Sequence, residues 1–220
     1  MGRNVERDEK AARKRRRQIQ KAGFRLIAKR GIEAVSIQEI ADAAEVGVAT
    51  VYKYYTNKVN LVVNISAYVW QEFIKDCEKA VPIEDLQKMN AYELMSYYAD
   101  MMIELYTKQP DILRFSSDFK TYINREDVPE ETLRVHLDPL AFLREIFHAQ
   151  YEAAKENGCI RTDLPEEVLY TTYSITMLSM AERYAQDIVW ADNQQRSHEL
   201  ELRCTKQMLL DWVTKKETEK

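Results

Sequence analysis

Residues 36–61 read SIQEIADAAEVGVATVYKYYTNKVNL, and this stretch decides the fold of the N-terminal end of the chain. Ser36 with Glu39 three residues later is the pattern of a capping box, which predicts that a short helix begins there. Val46-Gly47-Val48 interrupts that helix, and a second short helix is predicted over about residues 49–54. Small or branched apolar residues form the inner face of both helices: Ile37, Ile40, Ala41, Ala44, Val46, Val48 and Val51. Two short helices joined by a tight turn are typical of a helix-turn-helix.

The outward side chains of this segment have the chemistry that DNA recognition requires. The second helix of a helix-turn-helix enters the major groove, where a lysine reaches guanine acceptors and a threonine methyl group touches thymine. The start of a helix offers free backbone N–H groups that favour a phosphate. We therefore expect the region between Ser36 and Tyr55 to bind double-stranded DNA. The expected contact residues in and next to it are Ser36, Ala49, Thr50, Tyr52, Lys53, Tyr54 and Lys58.

Five consecutive basic residues, Arg13 to Arg17, lie on a first helix predicted from about Glu9 to Arg30. Residues 1–64 contain 14 Lys/Arg and 7 Asp/Glu, whereas residues 65–220 contain 18 Lys/Arg and 29 Asp/Glu. A basic end on an acidic body predicts that this end meets a polyanion. Contiguous helical positions point in several directions, so we expect only part of the run, Arg15 and Arg16, to contact phosphates. A solvated basic face or an unrelated targeting run is the alternative interpretation.

Apolar residues recur at three- and four-residue steps through the remainder of the chain, which predicts an all-α fold. A linking helix is predicted from Lys58 to about residue 80, before Pro82. Further helices are predicted at about 90–108, 110–123, 130–137, 139–157, 163–191 and 194–214, several of them opened by proline. We predict an N-terminal three-helix helix-turn-helix DNA-binding domain over residues 1–57. A C-terminal helical-bundle domain for ligand binding and dimerisation is predicted over residues 58–220.

The helix-turn-helix segment resembles the TetR family of bacterial transcriptional regulators. The family's pattern is approximately T-x-x-x-I-A-x-x-A-G-V-S-x-G-T-x-Y-x-Y-F-x-S-K-x-x-L, and spacing and chemistry match together. The matching residues are Ser36, Ile40, Ala41, Ala44, Val46, Thr50, Tyr52, Tyr54, Tyr55, Asn57, Lys58 and Leu61. The resemblance implies a homodimeric repressor that leaves a palindromic operator when a small effector binds.

Three residues depart from the family's pattern. Glu45 stands at a turn position where the family usually has glycine, and a left-handed backbone there would cost a glutamate about 1 kcal/mol. Gly47 replaces a serine that would cap the second helix, and Ala49 replaces a glycine near the groove. We therefore expect the motif to form with contacts that differ in detail from those of the family.

The C-terminal part is rich in aromatic and methionine residues. Ten of the 13 tyrosines follow residue 65, which is more hydroxyl groups than a dry core needs. Because ligand pockets form between the helices of bundles, we expect a pocket for an unidentified small hydrophobic or aromatic effector. An ordinary helical core is the alternative for any single residue. The candidate pocket residues are Tyr98, Met101, Met102, Phe115, Phe119, Tyr122, Phe142, Phe147, Tyr173 and Met177.

The last two predicted helices carry apolar residues on related faces. Two long amphipathic helices at a C-terminus suit a four-helix dimer interface, and a two-fold protein matches a palindromic DNA site. Closure of the monomer's own core is the alternative. The expected interface residues are Leu169, Thr176, Met180, Tyr184, Leu200, Cys204 and Met208.

Patterns of other protein classes do not occur in the sequence. Three isolated cysteines favour a reducing compartment, the charged N-terminus does not have the form of a signal peptide, and no long apolar run predicts a membrane span. The three histidines have no metal-ligand spacing, and no nucleotide-binding or hydrolase motif is present. We therefore expect a cytoplasmic regulator that is not an enzyme and has no cofactor. The alternatives are an enzyme or small-molecule-binding protein that retains a helix-turn-helix, and an effector-free regulator with protein partners.

Overall fold

The computed structural model describes residues 2–186 and 197–214, with side chains from residue 7 onward except those of residues 137–142. These ranges contain ten helices and no strand, so the predicted all-α fold is confirmed. The helices are α1 Gly2–Arg30, α2 Ile37–Ala43, α3 Val48–Tyr54, α4 Lys58–Ala80, α5 Ile83–Leu86, α6 Ala91–Lys108, α7 Pro110–Glu126, α8 Glu130–Asn157, α9 Glu166–Ala185 and α10 Glu199–Thr214. None of them combines the length and apolar character that a membrane crossing needs.

Several predicted boundaries differ from the observed ones. Helix α1 begins at Gly2 instead of Glu9, and the short helix α5 was not predicted. The expected helix end at Ala191 and the expected start at residue 194 lie outside the described residues. The largest correction concerns Pro139, which was expected to begin a helix.

Helix α8 continues through Pro139 as one 28-residue helix. A proline inside a helix removes one backbone hydrogen bond and crowds the preceding turn, which usually ends or kinks the helix. The residues on both sides, among them Leu133, Arg134, Leu143 and Arg144, are strong helix formers and keep the helix continuous. The two helices predicted at 130–137 and 139–157 are therefore one element.

The chain divides into two compact units. The first consists of residues 1–73 and 115–139, and the second of residues 74–114 and 140–220. Helices α4, α7 and α8 have residues in both units. The predicted functional boundary at residue 57 is a different division and stays a prediction.

The core of the first unit is built around the close approach of α1 to α4. A Cβ atom at Gly23 of α1 would lie 2.5 Å from Cδ1 of the fully buried Ile65 of α4. Phe24 packs edge-on against Phe115 of α7, with ring centroids 5.7 Å apart. After α1 ends, the backbone N–H of Ile32 donates to the Asp118 carboxylate at 2.6 Å. Residues 115–139 thus contribute to the unit that holds the helix-turn-helix.

In the second unit α6 packs against both α9 and α10, and α9 packs against α10. Helix α6 begins with a capping box formed by Asn90 and Glu93, which fixes its first turn. The fully buried Tyr173 of α9 donates its hydroxyl hydrogen to the backbone oxygen of Met95 on α6, at 2.8 Å. This hydrogen bond fixes the position of α9 along α6.

The first unit contains a partly buried histidine. His136 Nδ1 lies 2.9 Å from Ser66 Oγ, and the ring centroid lies 4.7 Å from that of Phe119. Burial, with a smaller contribution from the positive charge of Lys120, lowers the pKa of His136 from 6.5 to about 4. The neutral ring is therefore the folded form at neutral pH.

We expect the protein to lose stability as the pH falls from about 6.5 to about 4, because the unfolded chain then binds a proton at His136 that the folded chain does not. Urea unfolding across this range should show a fall of about 2 kcal/mol that His136→Gln removes, on top of the contribution of the carboxylates. Val135→Gln, at the exposed neighbouring position on α8, is the control and should keep the wild-type slope. Equal slopes for all three proteins would contradict the assignment.

Candidate nucleic-acid interface

A capping box starts α2, as the sequence predicted. The Ser36 hydroxyl oxygen accepts from the Glu39 backbone N–H at 3.2 Å, and a Glu39 carboxylate oxygen accepts from the Ser36 N–H at 2.8 Å. Arg30 at the end of α1 pairs with the same carboxylate at 2.7 Å. The hydrogen bond from the Ser36 backbone, followed by those from Arg30 and the Ser36 hydroxyl, lowers the pKa of Glu39 to about 2. The ionised carboxylate therefore holds the start of α2 at all physiological pH values.

The same arrangement bears on the predicted role of Ser36. Its hydroxyl donates to Glu39 at 2.8 Å while its backbone N–H donates to the same carboxylate. Both donors are thus engaged within the protein. A phosphate at Ser36 would have to compete with Glu39 for them.

The turn between α2 and α3 has a left-handed residue. Glu45 has a φ of 53°, and its side chain is exposed. Its backbone N–H donates to the Asp42 oxygen, and the next N–H, of Val46, donates to the Ala41 oxygen. Gly47 caps α3 with an ordinary φ of −69° and without a side-chain hydrogen bond. Position 45 therefore has the left-handed backbone conformation that favours glycine, and position 47 does not.

Helix α3 presents a polar face. Val51 is fully buried and anchors the helix, whereas Ala49, Tyr52 and Lys53 are exposed and Thr50 is half-buried. In the described part of the chain, the side chains of Thr50, Tyr52 and Lys53 form no hydrogen bond or ion pair within the protein. Their donors and acceptors are available to an external partner.

The basic run of α1 divides into side chains with different neighbours. The Arg16 guanidinium carbon lies 5.3 Å from the ring centroid of Tyr54 at the end of α3. Arg15 is exposed, and among the described residues its side chain bonds only to Gln18 of its own helix, at 3.2 Å. Arg17 pairs with Glu72 of α4 and lies over Tyr68. Arg16 thus lies beside the helix that is predicted to face DNA, whereas Arg17 contacts side chains of α4.

Three further predicted contact residues lie together. Ser36, Tyr52 and Lys58 line one open cleft, together with Val48. The Lys58 ammonium makes a long hydrogen bond, 3.4 Å, to the Glu33 backbone oxygen. The start of α4 and the side of α3 therefore share one surface with a cation at its edge.

The second unit contains an apolar cavity of about 40 Å³. A cavity of this size holds a few water molecules. Helices α5, α6, α8 and α9 supply the lining: Leu86, Leu94, Met95, Tyr97, Tyr98, Met101, Leu143, Phe147, Tyr170, Tyr173 and Ser174. Burial raises the pKa of Tyr98 and of Tyr173, so both phenols stay neutral.

The predicted pocket residues separate into four groups. Tyr98, Met101, Phe147 and Tyr173 line the cavity, and Met102 and Met177 are buried in the same unit but outside its lining. The assignment of Phe115, Phe119 and Tyr122 was wrong for this cavity, because they belong to the buried core of the first unit. The side chain of Phe142 lies outside the described residues. The predicted pocket residues did not include seven lining residues, because the spacing of apolar residues does not show which of them border a cavity: Leu86, Leu94, Met95, Tyr97, Leu143, Tyr170 and Ser174.

The predicted interface residues also divide. Leu200 is 66% exposed, Met208 is 71% exposed and Cys204 is exposed, all on α10. Thr176, Met180 and Tyr184 of α9 are half-buried, and the Tyr184 ring stacks on His198. Leu169 is fully buried, so its assignment to an intermolecular surface was wrong. The exposed large apolar residues of α9 are Val168 and Ile175, whereas Leu169, Tyr173 and Met177 lie on its buried face.

His148 on α8 is one of the three histidines, none of which has the sequence spacing of a metal ligand. Its Nδ1 lies 2.7 Å from a Glu166 carboxylate oxygen at the start of α9, and Glu152 is close by. The three side chains lie within reach of a shared ion, but His148 is well exposed and Glu152 pairs with Lys155. The arrangement is a hydrogen bond between His148 and Glu166 that joins α8 to α9.

Comparison with known proteins identifies the N-terminal segment. Residues 19–65 match the model of the family described as bacterial regulatory proteins, tetR family. The chain is 43% identical over 54 residues to the HTH-type transcriptional repressor KstR of Mycobacterium tuberculosis. That alignment spans 24% of this chain and 24% of KstR. The predicted resemblance to the TetR family is thus confirmed, and it is strongest over the helix-turn-helix.

Solved structures share the fold over most of the chain. The regulator FadR from Bacillus subtilis, solved with stearoyl-CoA, has a TM-score of 0.66 at 16% identity and covers 89% of this chain and 98% of its own. AibR, solved with isovaleryl coenzyme A and operator DNA, has a TM-score of 0.58 at 20% identity, with 91% and 98% covered. At these identities the likeness establishes the helical fold.

The left-handed backbone at Glu45 leads to a stability prediction. We expect Glu45→Gly to raise the free energy of unfolding by up to about 1 kcal/mol, because glycine adopts a positive φ without the steric cost that a side chain has. Urea unfolding at neutral pH measures the change. Glu45→Ala is the matched control, since it removes the same charge but keeps the strain. A gain in the alanine variant as large as in the glycine variant would attribute the effect to charge instead.

Proposed function

We propose that this chain, which carries the N-terminal domain of the TetR family of bacterial regulatory proteins, is a cytoplasmic transcriptional repressor. In this proposal the protein binds a palindromic operator as a homodimer, and a small apolar effector lowers its affinity for DNA. Residues 1–57 bind DNA and residues 58–220 bind the effector and the second subunit, with the linking helix at about 58–80. The observation that carries the proposal is the polar face of α3, whose side chains have no partner in the described protein, beside Arg16.

The charges and donors of the first unit support DNA binding. Residues 1–64 have an excess of basic residues, and Lys53 projects from the exposed face of α3. In this proposal Thr50 and Lys53 contact base edges, while Arg15, Arg16, Tyr52, Tyr54 and Lys58 contact the phosphate backbone. Ala49 is small and exposed, so the backbone of α3 approaches the groove closely.

The exposed apolar residues of the second unit support a homodimer. Four of the six large apolar side chains exposed in the described residues fall on α9 and α10, namely Val168, Ile175, Leu200 and Met208. These two helices pack against each other, so the residues belong to one helical pair. Exposed apolar side chains that are concentrated on one pair of helices favour an interaction surface there. Two copies of the pair would form a four-helix interface, and the half-sites of a palindromic operator would lie about one DNA turn, about 34–36 Å, apart.

The cavity supports an apolar effector. Its lining is aromatic and aliphatic, and the hydroxyl groups of Tyr98 and Tyr173 already donate to backbone oxygens. FadR and AibR, which share the fold, were solved with stearoyl-CoA and isovaleryl coenzyme A. An effector with an apolar part is therefore the class that this chain's own cavity accepts best.

An enzyme or a small-molecule-binding protein that retains a helix-turn-helix is the second candidate function. Its support is limited to the cavity, because the ionisable groups at the polar clusters are engaged in ion pairs and capping hydrogen bonds. An effector-free regulator with protein partners is the third candidate function. Its support is the set of exposed apolar side chains on α9 and α10. DNA binding and its response to ligands separate the three.

The DNA-binding proposal is tested with a fragment from upstream of the chain's own coding sequence. Lys53→Ala should weaken binding to this fragment about tenfold or more, because one base contact contributes about 1–3 kcal/mol. Fluorescence anisotropy at two salt concentrations measures the affinity, which for the wild type should fall steeply with salt. Binding to a scrambled fragment should change much less.

Lys108→Ala is the matched control for that experiment. It removes the same charge from an exposed position on α6, in the other unit, where the lysine pairs with Glu104. It should leave DNA affinity within about twofold of the wild type, as is usual for a distant surface charge. Wild-type protein that shows no salt-sensitive binding, or a Lys53→Ala protein that binds like wild type, would contradict the proposal.

The dimer proposal is tested by placing a charge on α9. We expect Ile175→Glu to shift the protein from dimer to monomer at low micromolar concentration, because an unpaired carboxylate is costly to bury at an interface. Sedimentation velocity measures the mass. Val135→Glu is the control, since Val135 is also exposed, at 41% against 52% for Ile175, but lies on α8 in the first unit. A monomeric wild type, or equal behaviour of both variants, would overturn the proposed interface.

A further inference from the structure

A cation lies on the outer side of the cavity wall. Arg144 directly follows the cavity-lining Leu143 on α8, and its guanidinium carbon lies 5.7 Å from the ring centroid of Tyr170, another lining residue. Arg144 also forms an ion pair with Glu167 in the first turn of α9. The side chains of Arg144 and Glu167 are 54% and 61% exposed, and both Leu143 and Tyr170 are partly exposed. The apolar lining therefore reaches solvent beside a charged group.

The interior of the cavity has few groups for a polar ligand atom. The Tyr98 hydroxyl donates to the Ser174 backbone oxygen at 3.3 Å, and the Tyr173 hydroxyl donates to the Met95 oxygen at 2.8 Å. The other lining side chains, apart from Tyr97, Tyr170 and Ser174, are aliphatic, thioether or phenyl groups. Moving a charged group into such surroundings without a partner is strongly unfavourable. A charged end of a ligand would therefore stay at the rim, where Arg144 lies.

A second polar side chain of α8 lies at the same rim. His148 lies one turn after Arg144 on α8, and its Nδ1 pairs with Glu166, the neighbour of Glu167. Arg144 and His148 thus both contact carboxylates in the first turn of α9, those of Glu167 and Glu166. These carboxylates occupy the position that an anionic ligand group would take.

We propose that the effector is an amphiphile whose apolar chain enters this cavity and whose anionic group, a carboxylate or a phosphate, binds Arg144 in place of Glu167. The proposal rests on the proposed function, because it takes the cavity to be the effector site. A guanidinium binds carboxylate and phosphate oxygens with two parallel hydrogen bonds, so both groups suit Arg144. The chain of the ligand widens the cavity by moving the partly exposed side chains Leu143 and Tyr170.

Calorimetric titration with three ten-carbon probes tests this assignment. Decanoate carries a carboxylate, decanoyl-CoA carries phosphates at the end of a longer head group, and decan-1-ol has the same chain without charge. We expect the wild-type protein to bind at least one of the anionic probes about fivefold or more tightly than the alcohol, as for a partly exposed charge-assisted contact. The anionic probe that binds more tightly identifies the source of the charge.

Two substitutions at the ion pair should act in opposite directions. Arg144→Gln removes the receiving cation and should weaken the anionic probe about fivefold while leaving decan-1-ol within about twofold. Glu167→Gln removes the competing carboxylate and should tighten the anionic probe. Both variants break the same ion pair, so a merely structural role would move both affinities in the same direction. Lys155→Gln on the same helix is the control for lost positive charge, because Lys155 pairs with Glu152 and does not line the cavity.

The outcomes separate this inference from the proposed function. Tighter or equal binding of decan-1-ol, no binding of either anionic probe, or equal changes in Arg144→Gln and Glu167→Gln would overturn the anionic assignment. Binding of the alcohol alone would leave the apolar effector site intact. The proposed function is tested by a different measurement, of DNA affinity. It would be contradicted if the protein showed no salt-sensitive DNA binding, or if the bound probe did not weaken that binding.

Discussion

The close approach of α1 to α4 at Gly23 is the constraint on which the first unit depends. A methyl group there would meet the fully buried Ile65, so glycine sets the distance between the two helices. Hydrogen bonds from Gln18 to the Ala44 oxygen and from Gln20 to the Asn64 oxygen join α1 to the end of α2 and to α4. With α1 fixed in this way, Arg16 comes to lie over Tyr54. One interhelical distance thus positions the basic helix beside the helix proposed to bind DNA.

The helix-turn-helix could be predicted from the sequence because its determinants are local. The capping box at Ser36 and the apolar positions of α2 and α3 depend on residues three or four apart, and these interactions form within a single element. The left-handed turn at Glu45 also followed from comparing one position with a pattern that has glycine. The pairing of Glu39 with Arg30 could not be predicted in the same way. It depends on how the end of α1 packs against the start of α2, which is a tertiary feature.

The second unit was harder to predict because periodicity does not show which of two apolar faces is buried. Helix α9 has Leu169, Tyr173 and Met177 on the buried face, and Val168 and Ile175 on an exposed one. Aromatic and methionine content indicated a pocket but not its location, and the core residues Phe115 and Phe119 proved to belong to the other unit. The cavity needs α5, α6, α8 and α9 together, so no single segment encodes it. The helix boundary predicted at Pro139 was wrong because one residue does not decide whether a helix ends. The free-energy cost of a proline inside a helix is outweighed here by the helix-forming residues on both sides.

The charge distribution gives the ion pair at the cavity rim a specific physical role. Residues 65–220 carry 18 basic and 29 acidic residues, so an anionic ligand approaches a body of its own sign. A local cation then decides between an anionic and a neutral ligand, and Glu167 holds Arg144 in place while no ligand is bound. A ligand shifts an equilibrium between two states only by the difference between its affinities for them. A cavity of about 40 Å³ offers little room, so in the proposed complex an apolar chain gains most of its burial only after the cavity widens. Exchange of Glu167 for a ligand anion would also remove one link between α8 and α9, which favours that widening.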